Sequence, residues 1–72
     1  MNCWQALANA IIINAVKEYL AALRRLKRHP NNLAMSNKIQ ELERFFHSDW
    51  YELLTNVNPD YLIGRLRKQV IG

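Results

Sequence analysis

Seventy-two residues, half of them hydrophobic, make one domain near the lower size limit for a core that stands without help. The single cysteine, Cys3, excludes an intrachain disulfide, and His29, His47 and Cys3 lack the close spacing of a metal set. The formal net charge of +4 comes in blocks: five Lys/Arg against one acid over residues 1–36, two against four over 37–58, three against one over 59–72.

A scaffold this small then depends on dense helix packing or on oligomerisation. One cysteine and no secretory signal point to a reducing compartment, the cytoplasm. Residues 2–28 contain neither Pro nor Gly and are rich in helix formers, which predicts one helix over that span. Its apolar run Ile11-Ile12-Ile13 is short and flanked by Asn9 and Asn14, so it is expected to be a buried helix segment rather than a membrane span. His29-Pro30-Asn31-Asn32 ends the helix, because proline biases the preceding residue away from helix and asparagine favours turns and caps.

A second helix is predicted over 33–46, where Met35, Ile39, Leu42 and Phe46 recur at spacings of four, three and four. The pattern restarts at Ser48-Asp49. Either residue suits an N-cap, and Asp49 with Glu52 matches a capping box. A third helix over 49–56 is expected to bury Trp50, Leu53, Leu54 and Val57. Asn58-Pro59-Asp60 opens the last helix, 59–71, with a cap, a proline at the first helical position and an acid in the first turn. Leu62, Ile63, Leu66 and Val70 face inward, and Gly64 inside this helix either marks a close helix approach or is simply tolerated there. The expected fold is all-α: a compact bundle of one long N-terminal helix and three shorter ones, in a single domain 1–72.

Plotted at 100° per residue, the first helix carries a core stripe of Trp4, Ala8, Ile11, Ile12, Ala15, Tyr19, Ala22 and Leu26. The opposite side is polar in the C-terminal half, through Asn14, Lys17, Glu18, Arg24, Arg25 and Arg28. In the N-terminal half it holds Cys3, Ala6, Leu7, Ala10 and Ile13. A helix apolar on two sides is covered on two sides. The second cover is the fourth helix or another copy of the chain, and these five residues form the expected self-association face.

Catalysis requires a nucleophile with a base, paired carboxylates, a phosphate loop or a metal set. His47 and Ser48 are neighbours, but residues i and i+1 on a helix do not face each other. Ser36, Ser48, Thr55, Asp49, Glu52 and Asp60 are accounted for by helix ends, so no enzyme activity and no cofactor are expected. Arg24, Arg25, Lys27 and Arg28 crowd the end of the first helix, and Arg65, Arg67 and Lys68 the end of the fourth. Cations at helix C-termini are stabilised by the macrodipole, yet four in five positions exceed that need. Arg24, Arg25, Arg28, Arg65, Arg67 and Lys68, with Tyr51 and Tyr61 for stacking or anchoring, are therefore the candidate ligand or partner contacts. A reading helix for DNA places polar residues at its start, whereas the fourth helix starts Pro-Asp-Tyr-Leu-Ile. Sequence-specific DNA binding is not expected.

The stretch from Phe45 to Thr55, followed by Asn58-Pro59-Asp60-Tyr61-Leu62-Ile63 and Arg65-Leu66-Arg67, resembles small uncharacterised helical proteins of phages and prophages of low-GC Gram-positive bacteria. The likeness covers the C-terminal half well and the first helix loosely, and it brings no catalytic residues with it. It implies a phage-encoded accessory protein inside a bacterial host cell. The expected role is a non-enzymatic one: binding and modulating a host or anti-phage defence component as a homo-oligomer. One alternative is an oligomeric sponge that sequesters an anionic nucleotide, held by Arg24, Arg28, Arg65, Arg67, Tyr51 and Tyr61. Another is a weak nucleic-acid-binding regulator.

Overall fold

The computed structural model describes residues 3–71 as four helices, α1 (Cys3–Arg28), α2 (Leu33–Phe46), α3 (Asp49–Leu54) and α4 (Pro59–Ile71). Residue 2, where the first helix was expected to begin, and the domain ends 1 and 72 lie outside the described residues. Three of the four helix starts follow local chemistry seen in the chain. Asn32 caps α2 by accepting from the Met35 amide, and the Asn58 side chain accepts from the amides of Asp60 and Tyr61 at the start of α4. Ser48, not Asp49, caps α3, its hydroxyl accepting from the Tyr51 amide.

Long-range contacts fix the directions. Tyr19 packs on Phe46 at the end of α2, while Arg25 shares a hollow with Met35 near its start, so α2 runs back along α1. Tyr19 also meets Arg67, and Lys27 reaches Val70, so α4 runs parallel to the second half of α1. The C-terminal ends of α1 and α4 therefore share one end of the molecule. At the other end α3 packs on the start of α1, where Trp4 and Trp50 meet edge to face at 6.4 Å. Extents of 42 × 22 × 17 Å and a radius of gyration of 12.9 Å describe an elongated body. A compact chain of this length has a radius of about 11 Å.

The core lies beside the second half of α1. Ala15, Tyr19, Ala22, Leu23, Ile39, Phe46, Tyr51 and Leu66 are buried together, with Leu62, Ile63 and Val70 packed at its edge as the spacing required. Its centre is aromatic: Phe46 lies 5.6 Å from Tyr19 and 5.8 Å from Tyr51, both edge-on. Such pairs each add about 0.5–1.5 kcal/mol beyond area burial.

Several expectations are corrected. α3 is one and a half turns, ending at Leu54 rather than residue 56, and it buries Tyr51 and Leu54. Trp50, Leu53 and Val57 are instead exposed, Leu53 by 66%. A helix this short with four apolar residues has two candidate inner faces, and the Phe45–Phe46 pair next to it selects Tyr51. Gly64 marks no close approach, since nothing stands within 4 Å of a Cβ built there. The Ile11–Ile13 run is not buried throughout: Ile11 and Ile12 are half-buried and Ile13 is 52% exposed. Trp4, placed on the core stripe, is half-exposed, and Leu23, left off it, is buried. By length and composition α1 is long and apolar enough to cross a membrane, with mean hydropathy 1.3 over its most apolar window, 28% of which is buried inside the chain.

Candidate functional site

The parallel course of α1 and α4 gathers two basic clusters that lie 41 positions apart at Arg24 and Arg65. Arg24, Lys27 and Arg28 line a shallow hollow of about 480 Å³ with Gln69 and Val70. Arg65 and Lys68 line a neighbouring hollow of about 370 Å³ with the same Gln69, so five cations share one surface. Arg24, Arg28, Arg65 and Lys68 form no ion pair with any described residue. Lys27 is partly engaged, donating its Nζ to the Val70 carbonyl at 3.0 Å, where the end of α4 lacks helical partners. Each helix end carries about half a negative charge from its dipole, about one unit for two ends. Five cations outweigh that, and the surface is positive.

A groove of about 530 Å³ opens beside it between α1, α2 and the end of α4. Its walls are mainly apolar, from Leu23, Leu26, Pro30, Ile39 and Ile71, with Lys27, Glu43 and Arg67 among the polar lining. Glu43 is the hub of a network that sequence reasoning missed. Tyr19 donates its hydroxyl to Glu43 Oε2 at 2.6 Å, Arg67 Nη2 donates to the same oxygen at 2.6 Å, and Arg67 Nε donates to the Tyr19 hydroxyl at 3.1 Å. Burial and the hydrogen bond to Glu43 push the Tyr19 phenol up to about 12. Burial also pushes Glu43 upward, but the hydrogen bonds from Tyr19 and Arg67, aided by the guanidinium charge, outweigh it and hold the carboxyl below its ordinary value. At neutral pH the network is a fixed carboxylate, phenol and guanidinium that clamp three helices.

The expected contact residues therefore divide. Arg24, Arg28, Arg65 and Lys68 come together. Arg67 is turned to Glu43, and Arg25 lies in a separate hollow with Glu18, Met35 and Lys38. Tyr51, expected as a contact, is 1% exposed in the core, where its hydroxyl has no hydrogen-bond partner and burial raises its pKa. Tyr61 is 64% exposed but sits in the first turn of α4, at the end of that helix away from Lys68. The six-residue nucleotide constellation is not assembled within one chain.

His47 and Ser48 turn to separate partners. His47 Nε2 lies 2.7 Å from Asp60 Oδ1 and Nδ1 lies 2.9 Å from the Glu43 carbonyl, while Ser48 donates to the Phe45 carbonyl. Both imidazole nitrogens face acceptors, which favours the charged ring; the Asp60 bond first, then the Glu43 carbonyl, raise its pKa. Among the described residues no three His, Cys, Asp or Glu side chains are grouped to hold a metal ion.

The face of α1 opposite the core remains open. Cys3, Ala6, Leu7, Ala10 and Ile13 are all exposed, Leu7 by 55% and Ile13 by 52%. α4 lies along the other half of α1 and does not cover them, so a central helix wrapped by its own chain is excluded. In comparisons with protein-family models, curated proteins and solved structures, nothing matches this chain.

Proposed function

We propose that this chain is a non-enzymatic binding protein that engages an acidic surface of a host or defence protein through the shared basic end of α1 and α4, and that it does so as a self-associated protein. The convergence of Arg24, Arg28, Arg65 and Lys68, all without acidic partners among the described residues, carries the reading. The surface is shallow and open, which suits a protein face better than a small anion. The neighbouring apolar groove presents the ionised Glu43, which repels phosphate, and its Arg67 is already paired. Stoichiometric binding of this kind suits a phage-encoded accessory protein, the context implied by the C-terminal resemblance.

Capture from bacterial lysate, compared between the native chain and the Arg24→Gln/Arg28→Gln/Lys68→Gln variant, tests the proposal. An acidic protein retained at low salt, released at high salt and lost with the variant supports it, because surface ion attraction is screened by salt. Calorimetry with cyclic and linear nucleotides is the counter-test. Saturable heat that disappears in the same variant would replace the proposal with nucleotide sequestration.

A further inference from the structure

We infer that a second copy of this chain covers the open face of α1, in a twofold antiparallel pair centred near Ala8, which leaves the basic ends at opposite poles. This deepens the self-association in the proposed function and rests on it. Cys3, Ala6, Ala10 and Ile13 are spaced three, four and three, the seam of two paired helices, and Leu7 flanks them. All five are exposed in the single chain, and residues 4–16 carry no ionisable side chain.

Surface area leaves room for a partner. The chain exposes 5387 Å². A compact monomer of 8.5 kDa exposes about 4700 Å². The excess, about 700 Å² over the whole elongated body, bounds what a partner on this face would cover, against the roughly 800 Å² that each partner contributes to a standard interface.

Charge decides the direction. Past Ile13 the seam runs through Lys17, Leu20 and Arg24, with Leu20 drawn against the chain's own core and Arg28 one turn beyond. A parallel pair would stack each of these cations on its own copy. An antiparallel pair centred on Ala8 sets Cys3 against Ile13 and Ala6 against Ala10, and leaves Lys17 beyond the overlap. The two Arg24 positions are then about 48 Å apart at 1.5 Å per residue, far beyond a screening length of about 8 Å. Charge also disfavours a lipid surface, because interfacial helices carry cations along the polar face beside the apolar one. Here the cations of α1 begin at Lys17, past the seam.

Sedimentation equilibrium with disulfide crosslinking tests the pair. The native chain is expected at twice the 8.5 kDa chain mass, and Leu7→Glu, a change at an exposed site, is expected to halve it with helicity unchanged. Under mild oxidation Ile13→Cys is expected to link copies through the partner's Cys3, whereas the native chain does not crosslink through Cys3 alone. A native chain that stays monomeric at high concentration overturns the inference, as does ready Cys3–Cys3 linkage, the mark of a parallel pair. Monomers that partition onto neutral or anionic phospholipid vesicles overturn it too. Retained capture of an acidic partner by a monomer would sink the pairing and spare the basic-end binding.

Discussion

Tyr19 is fully buried, yet its hydroxyl reaches a carboxylate and a guanidinium at the rim of the groove. Removing that hydroxyl in Tyr19→Phe takes one hydrogen bond from each of Glu43 and Arg67, leaves their direct pair in place, and is expected to lower stability by about 1–2 kcal/mol in urea unfolding. The pH dependence follows from the same residues. Glu43 is held below its ordinary 4.5, so the unfolded chain takes up the proton first. Stability present above pH 4.5 is then lost as pH falls through the folded value, and Glu43→Gln flattens that acid limb. At the alkaline side the Tyr19 phenol rises from 10.0 to about 12, so its contribution is complete below pH 10 and fades as pH climbs toward 12. Tyr51 behaves in the opposite way. Its buried hydroxyl lacks a partner among the described residues, so Tyr51→Phe is expected to leave stability unchanged or raise it by about 1 kcal/mol. A loss beyond that range would contradict the isolated hydroxyl. None of this was legible in the chain, because Glu43 lies 24 positions from both Tyr19 and Arg67.

Helix existence and most helix ends were legible, because their signals are local. Asn58-Pro59-Asp60 and His29-Pro30-Asn31-Asn32 act on their own backbone, and α2 and α4 run over the residues that the spacing predicts. The inner face of α3 was not legible. Trp50, Tyr51, Leu53 and Leu54 offer two apolar faces in six residues, and only the Phe45–Phe46 pair, placed by tertiary packing, chooses between them. Gly64 left two readings open for a related reason: whether a glycine inside a helix marks a close approach or is merely tolerated depends on what tertiary packing brings near it. Since a Cβ there meets nothing within 4 Å, Gly64→Ala is expected to stabilise α4 by about 1 kcal/mol. A fall in melting temperature would show that the site is crowded after all.

At the level of the molecule, the two ends of the long axis differ in chemistry. One end carries cations gathered from two helices; the other carries Trp4, Leu7, Trp50 and Leu53 half-exposed or more. The chain showed both sets of residues but not their separation, which depends on α4 running parallel to α1. With neither disulfide nor a metal cluster among its described residues, the fold has a small core to rely on. The pairing through α1 proposed above would supply further burial and place the two basic ends at opposite poles, where each would meet an acidic partner.

Small-angle X-ray scattering on the native chain tests this arrangement most directly. An antiparallel pair centred near Ala8 has a maximum dimension of about 60 Å or more, from two half-overlapped helices at 1.5 Å per residue. A scattering mass of one chain with a maximum dimension near the 42 Å of the single molecule would contradict it.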